Sequence, residues 1–383
     1  MDDLHARMLA AVLGGQGLDG VAEVAAAEAG GQVAILLPAR GLAAVAPAQR
    51  ELDELMAYVG ERVRGADGEP PEPVALEAPV EAGGEPIGAV LLLGNPNGSV
   101  ALDRTEILRT AAVASLTEVA VIAARDELTE ELRATLLEDL RAGGGIARAE
   151  LMRRAARLGC DLTRGAVVIV AELERLLPSR GAALIDSEWR GALAEPLEGR
   201  IYGILPASGG DEAPERTMKA AGALVRRLRK HGGAAHSSFC ADPEGLPDAL
   251  REAELVLEVT ARDERIAERV GTGSADSVYR LLFRALVSNP DEVRRFYEDT
   301  VASLVDYDRQ YRTDLVGTLE AYLDNDCNMN ATARAIFAHR HTVAYRLDRI
   351  RQMTSMDPTV TDDRERLGLG IKAYRLLAPS LPR

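Results

Sequence analysis

The sequence predicts a multidomain α+β protein: two mixed α/β domains joined by a long helix, then an all-α C-terminal domain. Three observations lead there. The chain has 383 residues, and at about 100–200 residues per domain that leaves room for two to four. Up to about residue 272, apolar runs of strand length alternate with amphipathic helical stretches, the pattern of sheets with helices packed on them. From residue 273 onward every periodic stretch is helical.

Composition sets the outer bounds. Hydrophobic residues are 47% and charged residues 27% of the chain, enough apolar surface to exclude disorder over most of it. The longest apolar stretch, around 111–124, is interrupted by Ser115, Thr117 and Glu118 and falls short of the roughly 18–20 residues of a membrane span. No membrane partner is expected. The start, Met1-Asp2-Asp3-Leu4-His5, lacks the basic-then-apolar pattern of a signal peptide. Cys160, Cys240 and Cys327 are far apart and odd in number, which argues against a disulfide framework or a cysteine zinc site and for a reducing cytoplasm. Neither a metal nor a cofactor is expected.

Residues 4–13 and 18–29 open the chain as amphipathic helices. Two short strands follow, 32–37 (QVAILL) and 41–46, around Pro38-Ala39-Arg40. A helix over 48–64 and a Gly/Pro-rich loop over 65–73 come next. Residues 74–80 and 86–93 flank Glu81-Ala82-Gly83-Gly84-Glu85, a hairpin signal. The run Gly84-Glu85-Pro86-Ile87-Gly88-Ala89-Val90-Leu91 resembles the G-x-P-I-G-x-L hairpin of GAF-type sensor domains, and the order of elements fits that fold. The resemblance implies a GAF-like sensor over residues 1–125, able to answer to a small-molecule effector whose identity the sequence leaves open.

Residues 103–141 carry one long helical signal. Asp103 and Glu106 make a capping box, and Ile107, Ala111, Leu116, Val119, Ala123, Leu128, Leu132, Leu136 and Leu140 recur at mostly three- to five-residue spacing. Such a helix is about 55–60 Å long. Its second half, 126–145, is expected to link two domains or two subunits, ending at Arg141-Ala142-Gly143-Gly144-Gly145.

Residues 146–272 read α/β: helices over 149–158, 214–231 and 247–260, strands over 166–172 (AVVIVAE), 200–206 (RIYGILP) and 233–240. No phosphate loop of the G-x-x-x-x-G-K-[ST] type is present. Gly209-Gly210-Asp211-Glu212-Ala213 nearly spells the GGDEF signature of diguanylate cyclases. It follows a strand and leads into Pro214 instead of preceding a strand, and the first strand, Val167-Val168-Ile169-Val170-Ala171, lacks a metal-binding Asp. The expectation is a polar loop without catalysis.

Residues 273–383 are read as helices over 277–287, 291–304, 313–323, 330–337, 340–353 and 363–377. Charge changes sign here. The chain as a whole has 45 bases and 60 acids, and residues 1–330 hold 35 and 55 of them. From 331 to 356 there are five arginines, at 334, 340, 346, 349 and 351, against the single acid Asp348. A basic element on an acidic body suits a DNA-reading module on a regulatory chassis. Ala333, Ile336 and Phe337 supply an apolar face to the first of two short helices. Val343, Leu347 and Ile350 supply one to the second at i, i+4, i+7. A three-residue connection between them gives helix-turn-helix geometry, in which the second helix enters the major groove. Arg340, His341, Thr342, Tyr345, Arg346 and Arg349 are then the candidate base and phosphate contacts, with Asn330 and Thr332 at the start of the first helix.

This stretch resembles the C-terminal module of PucR/CdaR-type bacterial transcription regulators. The resemblance rests on Leu315-Val316-Gly317-Thr318-Leu319-Glu320-Ala321-Tyr322-Leu323, on Ala331-Thr332-Ala333, and on His339-Arg340-His341-Thr342-Val343-Ala344-Tyr345-Arg346-Leu347-Asp348-Arg349-Ile350. Tyr279-Arg280-Leu281-Leu282 and Asp306-Tyr307-Asp308 fit the approach to the module. It implies a degenerate, ferredoxin-like GGDEF-like domain over 146–272 and a helical domain over 273–383 with its helix-turn-helix core at 313–377. It further implies a DNA-binding regulator, not an enzyme. His341 and Ala344 stand where the family usually has Asn and often Arg, so no relative's target sequence transfers. Two rival readings remain: a signalling enzyme of nucleotide-cyclase type, and an adaptor whose helix-turn-helix binds protein.

Other candidates read as structural. His339 is expected to cap the turn, Asp362-Asp363 to sit at a helix N-terminus, and Trp189 to pack. One helix-turn-helix makes few base contacts, and specific sites usually pair two modules about 34–36 Å apart. A homodimer on double-stranded DNA is therefore expected, with Leu128, Leu132 and Leu136 at the contact.

Overall fold

The computed structural model describes residues 2–47, 52–66, 68–94, 103–143, 145–210, 212–263, 266–267 and 276–378. The chain divides into two compact units, Met1–Thr129 and Glu130–Arg383.

The first unit contains α1 (Asp2–Leu13), α2 (Gly17–Ala29), β1 (Gln32–Leu37), β2 (Leu42–Ala46), α3 (Asp53–Val63), β3 (Val74–Ala82), β4 (Glu85–Leu93) and the first turns of α4 (Arg104–Ala142). Its sheet is antiparallel, in the order β2-β1-β4-β3. The unbroken apolar run of β1 is explained by cover on both faces. Val33, Ile35 and Leu37 share a core with α1, α2 and α4, whereas Ala34 and Leu36 pack with Leu55 and Val59 of α3. Gly88 is fixed by a close approach: a Cβ there would lie 2.2 Å from the Leu36 carbonyl oxygen. Residues 48–51, assigned to a helix from the sequence, lie outside the described residues.

Helix α4 runs unbroken through Arg125 and Asp126. The Asp103 carboxylate accepts from the Thr105 amide at 3.1 Å and begins it. By length and composition this helix is apolar enough to cross a membrane. Its Ile107, Leu108, Ala111 and Ala114 are nevertheless fully buried in the core of the first unit.

The second unit begins with the last turns of α4, then α5 (Arg148–Arg157), β5 (Ala166–Leu173), α6 (Pro178–Glu188), β6 (Leu193–Leu197), β7 (Arg200–Pro206), α7 (Ala213–Leu228), β8 (Gly232–His236) and α8 (Leu246–Arg262). The sheet is antiparallel in the order β6-β7-β5-β8. From β5 to β8 this is the β-α-β-β-α-β arrangement of ferredoxin-like folds. Val167, Ile169 and Ala171 face α6 and α7. Val168 and Val170 face the end of α4, α5 and α8. Leu136, expected at a subunit contact with Leu128 and Leu132, is fully buried on this second face with Leu137 and Leu140. It stabilises the fold and is not free to dimerise.

Gly209 and Gly210 follow β7 and lead to α7; Asp211 lies outside the described residues, as does Gly144 of the triple glycine. The carbonyls of Ser208 and Gly209 accept from Arg216 and Arg164. Trp189 packs beside α6, and its indole N–H donates to the Pro206 carbonyl at 2.9 Å.

Among the described residues the unit continues with α9 (Asp276–Ser288), α10 (Pro290–Thr300), α11 (Ala302–Tyr311), α12 (Leu315–Asp324), α13 (Met329–Ala335), α14 (Arg340–Thr354) and α15 (Thr361–Leu377). Helix α9 packs on α8 through Tyr279, Leu282 and Phe283. Helices α10 to α15 share a separate core around Val301, Leu304, Leu319, Val343, Ile350 and Leu367. The single helix read over 291–304 is two, because the chain bends at Val301 (φ −123°, ψ −1°) to bury that side chain.

Candidate nucleic-acid interface

The interface is built by α12, α13 and α14. Asp308, at the end of α11, starts α12 from outside: its two carboxylate oxygens accept from the Leu315 and Val316 amides at 2.8 and 2.9 Å. Asp314 adds a cap to Gly317 at 3.2 Å. Asn328 caps α13 through Oδ1, which accepts from the Asn330 and Ala331 amides at 3.0 and 3.1 Å.

The turn is a Schellman motif. The Phe337 amide donates to the Arg334 carbonyl at 3.3 Å and the Ala338 amide to the Ala333 carbonyl at 2.9 Å. Phe337 takes the left-handed position, φ +52°. Its ring, assigned from the sequence to the inner face of the first helix, is 99% exposed. The left-handed backbone turns it outward, and Ile336 alone packs inward at that end. His339 then caps α14, its Nδ1 accepting from the His341 amide at 3.3 Å, with the two imidazoles stacked 5.1 Å apart.

Along α14, Val343, Leu347 and Ile350 are buried at the expected spacing. The candidate contacts divide into two groups. Arg340, His341, Thr342 and Tyr345 are exposed, and so is Asn330 at the start of α13. Arg346 and Arg349 are half-buried and tied to the protein. Arg346 Nη1 donates to the Thr318 hydroxyl at 2.8 Å. The Arg349 guanidinium lies over the Tyr307 ring, 4.9 Å from its centre, and donates to Gln352 at 3.2 Å. Thr332 departs from expectation outright. It is fully buried, and its hydroxyl donates to the Asn328 carbonyl at 2.8 Å, so it presents no atom to a ligand.

Behind α14, Asp357 pairs with Arg351 at 3.1 Å. Hydrogen bonds from the Thr359 hydroxyl and amide hold its carboxyl below the ordinary Asp range, keeping it ionised. Asp363, in the first turn of α15, accepts from the Asp357 amide at 2.8 Å. Sequence reasoning missed Asp308, Tyr307 and Thr318 as the supports of the interface. The Asp306-Tyr307-Asp308 motif held the signal without showing which element it served. Among the described residues no three His, Cys, Asp or Glu side chains converge as a metal site.

Parts of the chain are similar to known proteins. The family described as PucR C-terminal helix-turn-helix domain matches residues 315–373, and the family described as GGDEF-like domain matches residues 142–259. The purine catabolism regulatory protein of Bacillus subtilis is 28% identical over 142 residues, 37% of this chain and 26% of its own length. The DNA-binding transcriptional activator AdeR of the same species is 32% identical over 124 residues, 32% of this chain and 29% of its own. A regulator of polyketide synthase expression from Bifidobacterium adolescentis, solved by crystallography, superposes with a TM-score of 0.31 at 18% identity, covering 64% of this chain and 98% of that one. This chain thus spans about a quarter of the length of the curated relatives it matches. Residues 315–373 thus match the PucR C-terminal helix-turn-helix family, and residues 142–259, ahead of them in the chain, match the GGDEF-like family.

Proposed function

We propose that the protein is a sequence-specific, DNA-binding transcription regulator. The observation that carries the reading is the leading end of α14: Arg340, His341, Thr342 and Tyr345 are exposed together, on a helix whose opposite face is locked into a core by Val343, Leu347 and Ile350. A helix held this way presents fixed donors to a groove. Arg340 fits guanine O6/N7 or a phosphate, and His341, Thr342 and Tyr345 fit bases or backbone. Asn330 is a backbone contact. Arg346 and Arg349 set the angle of the helix and reach phosphate only from its flank.

In this reading the domains are those of the sequence, with a GAF-like sensor over 1–125 receiving a small-molecule effector and the GGDEF-like domain acting without catalysis in the cytoplasm. The protein works as a homodimer, because one helix-turn-helix reads too few base pairs, and Leu128 and Leu132 belong to its contact. The test is selection of duplexes from a randomised pool by the full-length chain, followed by affinity measurements over a salt series. Specific binding with a steep salt slope supports the reading. Salt-independent binding, or none, favours the protein adaptor, and magnesium-dependent turnover of GTP favours the enzyme.

A further inference from the structure

Phe337 is the most exposed large apolar side chain among the described residues, and it stands where the fold least requires it. The turn closes through backbone hydrogen bonds that need no side chain at 337. Its left-handed residue is usually glycine, which adopts φ +52° without the crowding a Cβ introduces. A phenyl ring at this point strains the backbone and gains no burial. Its surroundings indicate what it meets. Residues 328–347 contain no Asp or Glu, in a chain with 60 of them. Arg334 is exposed just before the turn, Arg340 just after it, and Tyr345 beyond.

We propose that Phe337 contacts DNA and reads a thymine methyl group at the edge of the major groove. The inference rests on the DNA-binding reading above. An apolar ring flanked by arginines matches a polyanion that also carries one apolar feature, and in the major groove that feature is the thymine C5 methyl. Phe337 is then a specificity-determining residue ahead of the reading helix, and its strain is retained for the contact.

The experiment uses duplexes enriched from a randomised pool by the full-length chain, with each thymine replaced in turn by deoxyuridine. The parent is expected to lose about fourfold in affinity at one thymine per half-site, the value of one buried methyl group. Phe337→Gly and Phe337→Asn, both suited to the left-handed turn, are expected to bind the thymine duplex at least about tenfold more weakly. They should be indifferent to deoxyuridine there and, for glycine, melt no lower than the parent. Variants that bind like the parent, or bind weakly yet still discriminate deoxyuridine, overturn the proposal. Unchanged DNA affinity with lost promoter activation assigns the ring to a protein partner instead. Arg340→Ala on the same duplexes separates the levels: if it weakens binding and the Phe337 variants do not, DNA reading stands and this inference falls. If the parent enriches no duplex, both fall.

Discussion

If the proposed dimer forms through α4, replacing Leu128 and Leu132 together with Glu is expected to separate it without unfolding the subunit. The two side chains lie one turn apart on α4 and are 55% and 46% exposed in the isolated chain. Complete burial of a leucine is worth about 1.5–3 kcal/mol, so covering the remaining half of each supplies about 1 kcal/mol. A two-fold contact buries four such side chains, or about 4 kcal/mol, which corresponds to roughly a thousandfold in the dimer dissociation constant. Folding stability should hardly change. Leu136, two turns past Leu128, behaves in the opposite way. It is fully buried, and Leu136→Ala should cost about 2–5 kcal/mol of folding stability while leaving association intact at temperatures where the variant is folded. Sedimentation equilibrium over a wide concentration range measures association, and thermal melts by circular dichroism measure folding. A doubly substituted protein that melts like the parent and dimerises with the same constant would refute the placement on α4.

Arg340→Ala should reduce specific affinity by about 1–3 kcal/mol with an unchanged melting temperature. Arg346→Ala should act mainly on folding, lowering stability by about 0.5–1.5 kcal/mol because it removes one hydrogen bond to the Thr318 hydroxyl, which still donates to the Asp314 carbonyl; paired melts and binding isotherms tell the two profiles apart. His236 is held near pKa 4, first by desolvation and then by the neighbouring Arg280 guanidinium. Its folded value lies below its unfolded value, so it supports stability above about pH 6.5 and loses that contribution, up to about 3 kcal/mol, as pH falls toward 4. Denaturant melts of the parent and His236→Gln should converge on acidification, and a constant gap would rule this out. Purified protein should make no cyclic di-GMP from GTP and magnesium, and Asp211→Ala with Glu212→Ala should leave DNA affinity unchanged; synthesis abolished by that pair would restore the enzyme reading.

Periodicity revealed most of the architecture because most elements bury one face. Strand β1 and the α14 spacing Val343, Leu347, Ile350 are of this kind. The sequence concealed β6, whose LAEPL carries a charge and a proline. It is an edge strand, where a proline is tolerated, so the usual alternation is weak. Helix α6 begins Pro-Ser-Arg-Gly, residues that read as a turn. At the interface, residue type indicated which side chains suit DNA but not where each one is held. Arg346 and Arg349 look free in the sequence, yet Thr318 and Tyr307 hold them from 28 and 42 positions away. Phe337 looked like core because it is apolar at helical spacing; one left-handed residue reversed its direction. Leu136 continued the stripe of Leu128 and Leu132, and only the sheet beneath the end of α4 separates it from them.

The capping of α12 by Asp308 has a consequence for any attempt to excise the reader. The family match begins at residue 315, which invites a cut just before it. Such a cut discards both carboxylate oxygens that start α12, the tyrosine under Arg349, and Val293, Tyr297, Val301, Leu304 and Val305 from the shared core. The portable unit begins no later than Pro290. A fragment from there carries its own foundations, whereas one from 313 would present the same recognition residues on a helix with nothing to fix its pitch.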